Sequence, residues 1–152
     1  MEEDLRELYQ QVILDHGRKP RNFGALDGAN HEAEGFNPLC GDQIHVFLKV
    51  SPSETVDSVR FTGSGCTICT ASASLMTASI QGKSKHEIAA MFERFHDLVA
   101  GANGSKNSEE VLGKLTVFGG VREFPIRVKC ATLPWHTLKA ALDDDHKVVS
   151  TE

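Results

Sequence analysis

"QIHVFLKVSPSETVDSVRFTGSGCTICTASASLMTASIQG", residues 43 to 82, holds two strand-like runs and then a cysteine-led segment of small residues. In the first run Ile44, Val46, Leu48 and Val50 alternate on one face, the period of a half-buried strand. After the turn-forming "SPSET", residues 56 to 63 carry Val59 and Phe61 in a second run, so the pair predicts an antiparallel hairpin. Gly63 and Gly65 lead into a segment of helical length that stops at Gly82, although its Ser and Thr residues weaken the propensity. A hairpin feeding a helix is not the βαβ setting in which a dithiol CxxC opens a helix. A redox pair of Cys66 and Cys69 is therefore disfavoured.

Working outward, Leu5, Leu8, Tyr9, Val12 and Ile13 recur at helical spacing, and "HGRKPRNFG" ends that helix. The loop beyond it shows no pattern, and "ANHEAEG" is the candidate for a third strand. Downstream, "SKHEIAAMFERFHDLVAG" opens with the capping-box pair Ser84 and Glu87 and carries a stripe of Ile88, Met91, Phe92, Phe95, Leu98 and Val99. "ANGSKNS" is expected to be loop and "EEVLGKLTVFGG" a short helix closed by glycines. The last stretch, "VREFPIRVKCATLPWHTLKAALDDD", predicts an apolar segment, then a helix with Pro134 in its first turn and Trp135, Leu138, Ala141 and Leu142 on one face. The tail from about residue 146 is expected to fray. One small sheet followed by consecutive helices is an α+β pattern, with residues 1–152 as a single domain.

The formal net charge is -5, with acidic residues at both ends, "MEEDL" and "LDDDHK". This argues against a nucleic-acid or anionic-membrane surface and suits a protein partner or a small cationic ligand. No apolar run is long enough to cross a bilayer, and "MEEDLRELYQ" lacks a targeting signature, so a cytoplasmic location is expected. In a reducing compartment four cysteines suggest metal ligation or thiol chemistry before disulfides. The plainer alternative is four unrelated core thiols.

Their surroundings sharpen the choice. Cys66 stands at a predicted helix N-terminus, which favours a thiolate acting as ligand or nucleophile. In "NPLCGDQ", Gly41 between Cys40 and Asp42 can take positive φ and let both side chains turn toward one cation. An Asp in such a turn can equally serve only as a backbone cap. "RVKCATLPW" supplies Cys130 beside Lys129, a cation that stabilises a thiolate but cannot ligate while protonated. Sulfur and carboxylate donors suit zinc, and thiolates suit iron-sulfur clusters as well. Spacing leaves a fourth ligand open between Asp42 and Cys69. The seven histidines show no ligand-pair spacing, and "GSG" lacks the Lys and Ser/Thr of a phosphate loop.

Four stretches, "LYQQVILDHGRKPRN" (8 to 22), "NPLCGD" (37 to 42), "GSGCTICTASASLMT" (63 to 77) and "FPIRVKCATLPWHTLKAAL" (124 to 142), together resemble the IscU family of iron-sulfur cluster assembly proteins, which includes NifU N-terminal domains. The segment "LVAGANGSKNSEEVLGKLTVFGGV" and Lys129 before the last cysteine resemble its SufU branch. The resemblance implies an antiparallel sheet of about three strands with helices on one face. It also implies a zinc-binding persulfide acceptor working with a SufS-type cysteine desulfurase and downstream iron-sulfur assembly proteins, rather than a stand-alone catalyst. On this reading Cys40, Asp42, Cys66 and Cys130 ligate Zn2+, and Cys40 also carries the persulfide. Arg127, Lys129 and Cys69 are accessory candidates. Cys69 departs from the pattern, because serine is common there. Two alternatives stand beside it: a scaffold holding a labile iron-sulfur cluster on Cys40, Cys66 and Cys130, and a purely structural zinc centre.

Overall fold

The computed structural model describes residues 2–38, 41–100, 115, 117–119, 125–143 and 149–150. Helix α1 (Glu2–Arg18) is followed by strands β1 (His31–Asn37), β2 (Asp42–Val50) and β3 (Val56–Ser64). Then come helices α2 (Thr67–Ile80), α3 (Lys85–Ala100) and α4 (Pro125–Leu142), and the two-residue strand β4 (Val149–Ser150). The fold is α+β, and the strand order is β3-β2-β1-β4.

The three long strands are antiparallel, with Gly35 opposite Ile44 and Val46 opposite Phe61. Alternation fixes which face is covered: Ala33, Ile44, Val46, Leu48, Val59 and Phe61 point inward under α2 and α4, while Glu32, Glu34 and Arg60 stay exposed on the other face. Shifting any strand by one residue would exchange these sets, so burial of one face specifies the register. Gly35 sets the height of α4 above the sheet, because a Cβ there would lie 3.0 Å from Leu133 Cδ1 and would also strike the Thr137 hydroxyl.

The patternless loop after α1 is held by polar contacts to α2 and β3. Ser74 Oγ accepts the Arg21 N–H at 2.8 Å and lies 2.7 Å from His16 Nδ1. The Asn22 amide donates to Thr77 Oγ1 at 3.1 Å. Asn22 and Gly24 take both outward backbone groups of Phe61, Asn22 C=O accepting its N–H at 3.1 Å and Gly24 N–H donating to its C=O at 2.8 Å. Ser84 and Glu87 form the reciprocal capping box at the start of α3, at 3.1 and 3.2 Å.

Two sequence expectations need correction. Cys130 lies on the same continuous helix as Trp135, because α4 begins at Pro125 and contains Pro134. Pro at the first helical position costs nothing, and the interior one removes a single backbone donor. From Cys130 to Leu142 α4 is buried on nearly every side, so it shows no polar face to mark its period. The second correction concerns the tail: Val149 and Ser150 pair in parallel with Gly35 and Phe36, where fraying from about residue 146 was expected. Val149 is β-branched and suits a strand, and backbone pairing along an edge can hold so short a segment. Leu115 and Val117–Gly119 adopt 3-10 turns; the rest of the expected short helix lies outside the described residues.

On the side of α4 away from the sheet, Phe95 stacks on Trp135 with ring centroids 4.9 Å apart and meets Phe118 edge-on at 5.7 Å. His136 packs against Phe92 and His96. Its burial, the nearby His96 and Lys139 together hold its pKa below the usual histidine value.

Candidate metal centre

At one end of the sheet three separate segments meet: the β1–β2 connection, the β3–α2 connection and the first half of α4. The facing ends of β1 and β2 contribute Asn37 and Asp42, both fully buried. Gly41 has φ +70, the left-handed conformation that glycine adopts without steric cost. The turn directs the Asp42 carboxylate toward the start of α2. Gly65, just before that helix, leaves room for it, since a Cβ there would lie 3.0 Å from Asp42 Cα and strike its carboxylate.

Cys66 is the N-cap of α2, and its Sγ accepts the Cys69 N–H at 3.4 Å. The Cys66 N–H donates to Asp42 Oδ1 at 2.7 Å. Capping and ligation are thus compatible uses of one carboxylate: Oδ1 satisfies a helix donor, while Oδ2 faces Cys66 Sγ at 3.9 Å. Cys130 arrives from α4, fully buried. Asn37 Nδ2 bridges the two buried donors, lying 3.4 Å from Asp42 Oδ2 and 3.6 Å from Cys130 Sγ.

One donor atom each from Asp42, Cys66 and Cys130 lie within 4.8 Å of one another. Two thiols and a carboxylate converging from different elements can chelate a single cation, and donors of these types suit zinc or a thiolate-rich iron site. Of the residues singled out by sequence, the structure brings these three together. Cys40 lies outside the described residues. Cys69 is buried at 3% exposure within the core beneath α2, touching the site through its amide. Arg127 is exposed and Lys129 half-buried on α4; among the described residues neither forms a hydrogen bond or ion pair with the three donors.

Asn37 is the site residue that sequence reasoning missed. It falls inside "NPLCGD", yet nothing local marks its amide as a link to a helix 93 residues away in sequence. A buried Asn at the end of a strand that feeds a candidate ligand turn is the available signal. Its amide needs polar partners when buried.

Comparison with known proteins agrees with this architecture. Residues 8–131 match the NifU-like N terminal domain. The chain is 40% identical over 138 residues to the iron-sulfur cluster assembly scaffold protein IscU of Streptococcus pyogenes serotype M1, covering 91% of this chain and 84% of that protein. It is 39% identical over 136 residues to the zinc-dependent sulfurtransferase SufU of Bacillus subtilis, covering 90% of each. The crystal structure of a putative iron-sulfur cluster assembly scaffold protein for the SUF system, from Fervidobacterium islandicum AW-1, superposes with a TM-score of 0.82 at 33% identity, covering 90% of this chain and 97% of that one.

Proposed function

Because the chain belongs to the NifU-like N-terminal domain family, we propose that it serves iron-sulfur cluster assembly as a zinc-dependent sulfur acceptor. The observation that carries this reading is the convergence of Asp42, Cys66 and Cys130 donor atoms within 4.8 Å, with Cys40 two residues before Asp42 in the sequence. Zn2+ held by Cys40, Asp42, Cys66 and Cys130 would keep its thiol ligands deprotonated at neutral pH. Asn37 orients the Asp42 and Cys130 side chains, and α2 supplies the backbone donors that fix Asp42 and Cys66.

The donor is a SufS-type cysteine desulfurase carrying a cysteine persulfide. The Cys40 thiolate attacks the terminal sulfur, a bond forms from Cys40 to that sulfur, and the bond to the desulfurase cysteine breaks. That cysteine leaves as a thiolate, so one sulfur and its proton change hands with no net oxidation. The persulfide then passes to downstream iron-sulfur assembly proteins in the cytoplasm. No described helix is long and apolar enough to cross a membrane.

Zinc-replete protein incubated with the desulfurase and cysteine, then mapped by peptide mass spectrometry, tests the reading. Added sulfur is expected on Cys40 and lost in Cys40→Ala, whereas undiminished acceptance by Cys40→Ala overturns the assignment. The scaffold reading is favoured by the name of the Streptococcus pyogenes relative: Cys40, Cys66 and Cys130 would hold an iron-sulfur cluster as cargo. Stable cluster absorption after anaerobic reconstitution, with transfer to an apo-protein, would support it over sulfur transfer.

A further inference from the structure

Helices α3 and α4 enclose a cleft of about 170 Å³ whose walls include Ile88, Ala89 and Phe92 on one side and Trp135, Leu138 and Leu142 on the other. In each helix these residues recur at three-and-four spacing, so each set lines a single face. Ile88, Trp135, Leu138 and Leu142 are buried, whereas Ala89 is exposed. Its methyl group is too short to reach across to α4, and the gap stays open. An engineered cavity of about 150 Å³ with similar walls holds benzene, so the cleft has room for one ring or one branched aliphatic group. None of Asn37, Asp42, Cys66 and Cys130 lines it.

Four charged side chains also line the cleft. Lys85 and Asp143 answer each other at 3.4 Å. Glu93 and Lys139 do not: both are exposed, on facing helices, and among the described residues neither has an ion pair or a hydrogen bond. The Lys139 ammonium lies only over the Phe92 ring, 5.4 Å from its centroid. These two charges sort the possible ligands. A neutral apolar molecule answers neither, an anion answers Lys139 and meets Glu93, and a cation does the reverse. A zwitterion answers both.

We propose that the α3–α4 cleft is a binding site for a free apolar α-amino acid, its side chain between the apolar walls, its carboxylate at Lys139 and its ammonium at Glu93. Burial of the side chain supplies most of the affinity. The two ion pairs are exposed to solvent and worth little each, so they orient the ligand and select its charge pattern. A ligand this small in an open cleft binds with a Kd on the order of 1 mM. The site lies apart from the cysteines and rests on none of the sulfur chemistry proposed for them.

Trp135 is the chain's single tryptophan and lines the cleft, so its fluorescence reports occupancy directly. The full chain is titrated with L-phenylalanine, 3-phenylpropionate, phenethylamine and benzyl alcohol. L-Phenylalanine should give a saturable change and bind about threefold more tightly than either singly charged analogue. Lys139→Gln should weaken L-phenylalanine and 3-phenylpropionate and spare phenethylamine, and Glu93→Gln should weaken L-phenylalanine and phenethylamine and spare 3-phenylpropionate. Ala89→Phe, at an exposed helix position, should fill the cleft and abolish binding with Tm unchanged. No saturable change well above the expected Kd, or equal affinity for all four probes, overturns the inference. So does a dimer of the unsubstituted chain that Ala89→Phe dissociates in size-exclusion chromatography, because a second copy would then occupy the cleft.

Discussion

Helix α4 joins two regions that are held in different ways. Its first half brings Cys130 to a site where side chains are fixed by named hydrogen bonds: Asn37 to Asp42 and Cys130, and Asp42 to the start of α2. Its second half carries Trp135 into an aromatic stack with Phe95, where the buried indole Nε1 lacks a hydrogen-bond partner among the described residues. Leaving such a donor unpaired costs about 1–3 kcal/mol, so the dense packing around the ring must outweigh it. One end of the helix is built for orientation of donors and the other for cohesion. Pro134, between them, removes one backbone bond without ending the helix.

That division is best challenged at the aromatic end. Trp135→Ala should destabilise the protein by about 3–5 kcal/mol, seen as a lower urea midpoint, with metal stoichiometry unchanged while the chain is folded. Loss of metal at unchanged stability would mean the two halves are not separate.

Asn37→Ala probes the other end. It removes the amide that positions two donors and should weaken Zn2+ binding about 10–100-fold, measured by competition with a chelator of known affinity. An unchanged affinity would reduce Asn37 to a packing residue.

Ser84→Ala lies outside both regions and calibrates them. Loss of the capping box should lower Tm by about 2–4 °C and leave metal affinity unaltered.

The smallest effect concerns His136. Its pKa is lowered from the usual histidine value of 6.5, so below that pH the unfolded chain binds more protons than the folded one. Stability should accordingly decline as pH falls from about 6.5 toward the folded-state pKa. His136→Gln should flatten this part of a pH-stability curve. A slope unaffected by the substitution would place the titration elsewhere.

What the sequence made legible follows locality. The Ser84–Glu87 box is written in four residues, and the hairpin in alternating ones, so both could be read directly. Gly41 could be read because glycine takes positive φ without steric cost, as it does here at φ +70. Cys130 falls in a helix where an apolar segment ahead of the helix is expected, because α4 is enclosed by the sheet and by α2 and α3, which erases the polar face that would reveal a helix. Asn37 and the Arg21–Asn22 loop were silent for a related reason: their partners, Cys130, Ser74 and Thr77, come from distant segments. Motif resemblance supplied a candidate ligand set where spacing left the fourth position open between Asp42 and Cys69.

The pairing of Asn22 and Gly24 with Phe61 has a consequence for self-association. β3 is an outer strand, and its middle would otherwise offer an N–H and a C=O to any extended chain that drifted past. Both groups are already taken, while on the opposite border Val149 and Ser150 lie along Gly35 and Phe36. The sheet is thereby guarded against strand-by-strand growth into aggregates.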